Sequence, residues 1–556
     1  MSEAPPRTLG EVLLKASALG NPQALRMGDL SLPASEVLLR SHRCALALRR
    51  RGLTKGDRVA LLSENRPEWM IADLGTALSG GVLVPLYMNL LAPQVKAILG
   101  QAKPRLAFAS TPAQAAKFRE ASSELEVVLF DPPPGADLPH SWERFLASGA
   151  AQDGDPSAED LAKALSPDDP ASTLFTSGTT GEPKPIPLTH RNLTAALEVL
   201  PLIGAVPGKE VALSFLPLAH VFGRVVDLGF FAMGASICYA PELDRLPEAL
   251  RRYRPTAFAA VPRVFEKAYA AVQARIASAP SLLKSMASWI LKSREGNPLR
   301  DFLAERLFFR KIREGLGGRL RLVISGGAPL SPDILRFFRS AGVPILEGYG
   351  LTEAPVLCVN LPGKERAGSV GPPLPGVELR IAEDGEILAR GPVVSVACLG
   401  PDGWFPTGDL GKVEDGFLSI TGRKKELMKT AGGKYIAPAG LEQRLLSIPA
   451  VSQAMVVADG RPYPVALLVP DPGVLRKALV DHAPGSELDW MEAQMERVMI
   501  DLPRYERVKR VGLLASPFTV ESGELTPTLK LKRAAILQKR SADVEAVYAR
   551  PKEEAP

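Results

Sequence analysis

The chain has 556 residues, 67 of them lysine or arginine and 61 aspartate or glutamate, for a net charge of +6. That length exceeds what a single ordinary core supports, so at least two domains are expected. With 46% hydrophobic and 23% charged residues the composition is that of a globular protein and excludes a disordered one.

The 51 prolines exceed the usual share of about 5%. They fall in short turns such as Asp131–Pro134 and Ser166–Pro170, so they mark surface connections. Basic clusters lie at Arg251–Arg254, Arg507–Arg510 and Lys530–Arg533. For the first two, solvated surface is the leading reading and attraction to anionic membranes the second. Aromatic interleaving and nucleic-acid-binding motifs are lacking, so no nucleic-acid partner is expected. Cys44, Cys238, Cys358 and Cys398 are far apart, which suggests a reducing compartment and neither disulfides nor zinc. The opening MSEAPPRTLGEV has no charged-then-apolar signal pattern. The most apolar stretch, 211–240, contains His220, Arg224 and Asp227, so it is not a spanning helix. A cytoplasmic protein is expected, with peripheral contact at the inner membrane face left open.

In chain order, short apolar runs alternate with helix-length amphipathic segments: Arg58–Leu62, then Glu68–Ala77, then Gly81–Pro85. The acidic, proline-containing stretch 150–170 reads as a surface connection before the next strand. Arg321–Ile324 is followed by a glycine-rich turn and a helix from Ser331, with Ser331 as cap, Pro332 in the first turn and Gly342 at the end. Ile334, Leu335 and Phe338 share one face of it. This rhythm predicts α/β layers with much parallel sheet. Beyond Thr421 the chain is more charged. The runs Ala454–Val457 and Val465–Val469 flank Asp459-Gly-Arg-Pro462 like a hairpin. We therefore expect a large domain over residues 1–422 and a small α+β domain over residues 423–556.

The most informative stretch is Thr173-Leu-Phe-Thr-Ser-Gly-Thr-Thr-Gly-Glu-Pro-Lys184. Its glycines let backbone N–H groups turn toward an anion. Thr176, Ser177, Thr179 and Thr180 add donors, and Lys184 adds a positive charge. The set suits a triphosphate, and the absence of Gly-Lys-Ser/Thr separates it from a Walker A loop. Read alone, Ser177-Gly178-Thr179-Thr180-Gly181 is also compatible with a polar surface turn.

This loop resembles the phosphate loop of the adenylate-forming superfamily of acyl- and aryl-CoA synthetases, luciferases and peptide-synthetase adenylation domains. The resemblance runs along nearly the whole chain, in the family's order. Gly56-Asp-Arg-Val-Ala60 with Asn65-Arg-Pro-Glu-Trp69 comes first, then Leu216-Pro-Leu-Ala-His-Val-Phe-Gly-Arg224. Ser325-Gly-Gly-Ala-Pro-Leu330, Gly348-Tyr-Gly-Leu-Thr-Glu353, Trp404-Phe-Pro-Thr-Gly-Asp409, Gly422-Arg-Lys-Lys-Glu426 and Leu525-Thr-Pro-Thr-Leu-Lys-Leu-Lys-Arg533 follow. The second and last of these look like the long-chain fatty-acid–CoA ligase branch.

The resemblance implies a large N-terminal domain of stacked αβ sheet subdomains with a small β-barrel-like unit, and a small mobile C-terminal domain. It implies ATP and coenzyme A as co-substrates, Mg²⁺ as metal and a fatty acid as partner. The reaction is fatty-acid activation through acyl-AMP to acyl-CoA. Its alternative is an acyl-AMP ligase delivering to a carrier protein. Tyr349 offers an aromatic face for adenine, Thr352 a hydroxyl near the α-phosphate, and Glu353 a hard oxygen ligand for Mg²⁺. Thr176 lies near the metal. Asp409 accepts from the ribose hydroxyls, the logic of the acidic residue in dinucleotide folds, and Arg423 is a second ribose and phosphate contact. Gly326, Gly327 and Gly350 belong to the nucleotide-binding turns, although for Gly326 and Gly327 a purely structural turn is a serious rival. His220 flanks the reacting carboxylate. Lys530 neutralises charge at the α-phosphate, chosen over Lys532 because Arg533 follows it at the family's spacing. Lys425 is the hinge between two domain arrangements. His190, at a helix start, is assigned no chemistry.

Two departures stand out. Pro185 replaces the family's glycine after Lys184, which removes an N–H and restricts Lys184 toward extended geometry. Ala439-Gly-Leu-Glu442 follows Ala437-Pro438 where the family has an acidic residue first, so an interdomain contact is expected to weaken.

Overall fold

The structure, a computed structural model, describes residues 5–133, 140–177, 183–277, 304–480, 487–526 and 530–550. Two large sheets carry the first two thirds of the chain. The six-stranded sheet has the order Glu126–Leu129, Leu106–Ala109, Arg58–Leu62, Val82–Leu86, Pro170–Ser177 and Pro183–Thr189. Its pairings are parallel except the last. The eight-stranded sheet runs Ala354–Val359, Ile345–Leu351, Leu322–Ser325, Ala257–Ala260, Val211–Ser214, Ser236–Tyr239, Leu25–Met27, Leu30–Leu32. It is parallel inside and antiparallel at both edges.

Parallel strands buried on both faces need continuous apolar runs, which Val82–Leu86 and Leu322–Ser325 supply. Helices Pro67–Leu78 and Val221–Ala232 are buried almost all round, and they join the two sheets through one continuous core. Inside it Arg224 meets Asp73 through two hydrogen bonds of 2.8 and 2.6 Å, with both side chains essentially solvent-free. Losing either partner would strand a charge there, at a cost of about 3–5 kcal/mol. The pair therefore ties one lobe to the other in a single register.

The expected barrel-like unit is an open four-stranded antiparallel sheet over Glu378–Ile381, Glu386–Arg390, Phe405–Glu414 and Phe417–Arg423. Beyond it, Val451–Val457 and Val465–Pro470 form the expected hairpin, and Val511–Leu513 adds a parallel third strand. Their helices close a separate core around Leu441, Met491 and Met495.

The helix after the glycine-rich turn is Pro332–Ser340, with Ser331 at the cap position and Gly342 at φ +73° just past its end. Ser331 makes no side-chain capping bond, so the proline rather than the hydroxyl sets that start. The stretch 150–170 is more than a connection. It contains the helix Ala158–Lys163, closed at its start by a reciprocal Ser157–Asp160 capping box that the proline and acidic content obscured. Among the described residues no helix is long and apolar enough to cross a membrane.

Candidate active site

The site lies where the strand ends of both sheets meet the four-stranded sheet and the last part of the chain. Thr176 is the penultimate residue of the strand Pro170–Ser177 and pairs across the ladder with Lys184 on Pro183–Thr189. Gly178, Thr179, Thr180 and Gly181 lie outside the described residues. Ser177 is the last strand residue before them.

The strand Pro183–Thr189 is the edge of its sheet and carries prolines at 183, 185 and 187. Successive backbone groups of a strand face opposite sides, so all three missing N–H groups share the outward border. Lys184, Ile186 and Leu188 keep the ladder with Thr176, Leu174 and Ser172. Pro185 thus costs no ladder bond, and it fixes Lys184 in extended backbone opposite Thr176. Lys184 and Glu353 both act electrostatically on Cys398, whose thiol is raised first by burial and then by the Glu353 charge. The cation and carboxylate therefore border the same ground.

Glu353 lies in the turn between Ile345–Leu351 and Ala354–Val359, and its carbonyl accepts from the Ser395 N–H at 2.8 Å. The Ser395 hydroxyl in turn donates to the Pro187 carbonyl at 2.5 Å, locking this turn to the proline-bearing strand. Thr352 is half-buried beside Glu353. Gly350 has a packing reason of its own: a Cβ there would stand 2.2 Å from the Pro355 carbonyl oxygen.

Tyr349, Asp409 and Arg423 form one unit. The Tyr349 hydroxyl donates to Asp409 Oδ2 at 2.7 Å, and Arg423 Nε donates to Oδ1 at 2.8 Å. Asp409 and Arg423 are cross-strand partners. Burial, then the Asp409 charge, pushes the Tyr349 phenol far up, so it stays a donor. Burial works against Arg423's charge, yet Asp409 holds its pKa above the ordinary value.

Gly326 and Gly327 follow the strand Leu322–Ser325. A Cβ at Gly326 would sit 3.1 Å from the Phe222 ring, and Gly327 has φ +83°. The turn therefore has a structural need for small residues, and it abuts the segment carrying His220. His220 caps the helix Val221–Ala232, its Nδ1 accepting from the Phe222 N–H at 3.1 Å. Burial, then the positive charge of Lys530, lowers its pKa to about 4. The ring is therefore neutral at pH 7 with its proton on Nε2.

Lys530 sits in a tight reversal, its N–H bonded to Thr526 Oγ1 at 3.0 Å and its carbonyl accepting from the Thr526 N–H at 2.8 Å. Desolvation, then Arg423, lowers its pKa, while Asp409, Glu426 and Glu353 pull the other way. The lysine thus shares one electrostatic neighbourhood with residues 104 to 310 positions earlier in the sequence. Arg533 binds Glu442 through hydrogen bonds of 2.7 and 2.6 Å, and Glu442 also accepts from the Val456 N–H at 2.7 Å. The carboxylate that remains at 442 therefore braces the Lys530 segment from within its own lobe. Gln443 from the same helix donates to the Pro329 carbonyl of the large body. Lys425 lies exposed in the single turn Lys424–Glu426 that joins the two parts. His190 is buried, and its Nδ1 accepts from the Leu9 N–H, a structural role.

One residue escaped the sequence reading. Glu347 is buried, accepts from the Leu330 N–H at 3.2 Å, and leaves Oε2 without a partner. Burial raises its pKa to about 7. It borders a cavity of about 200 Å³ with Leu335, Arg339, Pro344, Ile345 and Arg366. A lone carboxylate closing the apolar run Ile345-Leu346 was the available signal.

Residues 16–397 match the AMP-binding enzyme family, and residues 426–552 match the AMP-binding enzyme C-terminal domain. The chain belongs to the AMP-binding enzyme family. It is 36% identical to the long-chain-fatty-acid–CoA ligase FadD15 of Mycobacterium tuberculosis, over 91% of this chain and 90% of that protein. Against long-chain-fatty-acid–CoA ligase 1 of Homo sapiens the identity is 30%, over 88% of this chain and 78% of the relative. In three dimensions it is similar to the adenylation domain of a carboxylate reductase from Mycobacterium chelonae, with TM-score 0.80, 24% identity and coverage of 98% and 91%. ATP-bound MatB from Rhodopseudomonas palustris aligns with TM-score 0.69 and 24% identity, covering 96% of this chain and 99% of that one.

Proposed function

We propose that this member of the family is a long-chain fatty-acid–CoA ligase that activates its acid with ATP through acyl-AMP, releasing pyrophosphate and then AMP. The observation that carries the reading is the gathering of a late lysine, Lys530, into electrostatic reach of Asp409, Arg423, Glu353 and His220. Nothing in that set is an activated protein nucleophile, which suits a reaction whose nucleophiles are the two substrates.

In the first half-reaction the fatty carboxylate attacks the α-phosphorus and pyrophosphate leaves. Asp409 accepts from the ribose hydroxyls, and Arg423 holds that carboxylate in place. Tyr349 supplies the adenine face. Lys530 and Lys184 take up the charge that develops on the phosphoryl oxygens, a stabilisation that fixed cations provide without reorganisation. His220, neutral, donates from Nε2 toward the reacting carboxylate. Thr176, Thr352 and Glu353 supply hard oxygen atoms at this border. Such a donor set fits Mg²⁺, which keeps waters and substrate phosphates and needs only one or two protein ligands. When bound, Mg²⁺ would neutralise phosphate charge beside Glu353 and Thr176.

In the second half-reaction the small domain turns about Lys425 and withdraws Lys530. The coenzyme A thiol then attacks the acyl carbonyl and AMP departs. Separating the two steps by rotation gives each its own surroundings. We place the domain boundary between residues 422 and 423, with Lys425 as the pivot just beyond it. The protein works in the cytoplasm and meets its acyl substrate at the membrane face.

The test is acid-dependent pyrophosphate release over a series of chain lengths, with and without coenzyme A, with products identified by mass. Acyl-CoA formed with coenzyme A as sole acceptor supports the reading. Acyl-AMP that accumulates and transfers only to a carrier protein would replace it with the acyl-AMP ligase alternative.

A further inference from the structure

The motif Asn65-Arg-Pro-Glu-Trp69 is absorbed by none of the chemistry above. Asn65 stands between the strand Arg58–Leu62 and the helix Pro67–Leu78, in the six-stranded lobe. Its side chain is buried, yet every hydrogen bond it makes crosses to the other lobe. Nδ2 donates to the Leu216 carbonyl at 2.7 Å and to Ser214 Oγ at 3.2 Å, and Oδ1 accepts from the Leu218 N–H at 3.1 Å. One amide thus grips three alternate residues of the segment leading to His220.

The segment is tied from its other side as well. Ser214 Oγ passes its own proton to Asp227 Oδ2 at 2.7 Å, on the helix that His220 caps. The His220 N–H donates to the Pro217 carbonyl at 2.9 Å, in the middle of the gripped turn. The helix packs so closely on this turn that a Cβ at Gly223 would stand 2.9 Å from the Pro217 carbonyl oxygen. A shift of the turn therefore moves the helix start, and with it the imidazole.

We propose that Asn65 is a positioning residue for His220: it registers the Leu216–Leu218 turn against the six-stranded lobe and so sets where the Nε2 proton points. Aspartate at this position keeps the size and the Oδ1 acceptor but loses both donors. A buried polar amide spent wholly on one turn is otherwise costly, since an unmet buried donor or acceptor costs about 1–3 kcal/mol. Any small apolar residue would fill the space without that risk.

The inference rests on the reading that His220 works in adenylation, and the test separates the two. Acid-dependent pyrophosphate release is measured for Asn65→Asp, Asn65→Ser, His220→Ala and the double variant Asn65→Asp/His220→Ala, with folding followed by thermal melting. Asn65→Asp should lower kcat about 10- to 100-fold, the scale expected from misplacing a group by an ångström or less. KM for ATP should stay within about twofold. The double variant should be no slower than His220→Ala alone, since a misplaced ring and an absent ring are one defect. Asn65→Ser, which restores a hydroxyl donor, serves if aspartate fails to fold, and it should couple to His220→Ala in the same way. Losses that multiply in the double variants, or folded Asn65 variants with full kcat beside a slow His220→Ala, overturn the proposal. A His220→Ala enzyme at full rate overturns the role of His220 instead.

Discussion

Lys530, on the last part of the chain, lies near enough to His220, at the head of a helix in the large body, that its charge adds to burial in holding the imidazole at a pKa of about 4. Two groups far apart in the chain thus act on each other, and the imidazole is neutral at pH 7.

A pH dependence follows for stability. His220 and His190 both have folded-state values of about 4, lowered chiefly by burial, against 6.5 when exposed. Between these values the unfolded chain binds more protons. The contribution of the two histidines is therefore full above about pH 6.5 and falls as pH drops toward 4, by up to roughly 3 kcal/mol per histidine. The buried carboxylates Glu347 and Asp227, raised to about 7, act with the opposite sign, so the histidine share is read from the difference between wild type and variant. Urea titrations at pH 7 and 5 should show this loss. His190→Asn, which keeps an acceptor for the Leu9 N–H, should flatten the slope. An unchanged slope would contradict the assignment.

Lys530→Ala should cut pyrophosphate release by about 10²- to 10³-fold, the scale of removing a preorganised stabilising group. Thioester formation from supplied acyl-AMP should stay within about twofold. Lys532→Ala should leave both steps near normal. Pyrophosphate release at the normal rate in Lys530→Ala would sink the assignment.

Tyr349→Phe keeps the ring but removes the 2.7 Å hydrogen bond to Asp409. Bonds to a charged acceptor contribute about 1.5–3 kcal/mol. We expect KM for ATP to rise about 10-fold with kcat little changed, as initial-rate kinetics would reveal. Asp409→Asn should be more severe, because it also loosens Arg423.

Gly326 and Gly350 should differ sharply. An added methyl at Gly326 meets only the Phe222 ring at 3.1 Å, and a ring can give way. Gly326→Ala should fold with about 1 kcal/mol lost. The methyl at Gly350 meets a backbone carbonyl at 2.2 Å, so Gly350→Ala should fail to give folded protein in thermal melts.

The sequence was legible where the information is local. Ser331, Pro332 and Gly342 bracket a helix that is Pro332–Ser340. The turn around Gly460 announces the hairpin Val451–Val457 with Val465–Pro470. Motif residues such as Asp409 and Arg423 prove to be cross-strand partners. What was illegible is tertiary. Asn65 and Leu216 are 151 positions apart, and nothing in either neighbourhood announces their bond. Glu347 follows an apolar strand run, and only its buried, unpaired oxygen, a tertiary feature, sets it apart. The helix Ala158–Lys163 is too short for a periodic signal, and only its capping box marks it.

The alternating prolines at 183, 185 and 187 have a consequence beyond Lys184. Along the outer border of that lobe Pro183, Pro185 and Pro187 present no amide protons, and the Pro183 and Pro187 carbonyls already accept from the Gln101 side chain and the Ser395 hydroxyl. A newcomer strand could not zip onto it, because half of the reciprocal bonds of a β-ladder would be missing. The same residues that fix Lys184 in extended backbone thus deny this border of the lobe to an added strand.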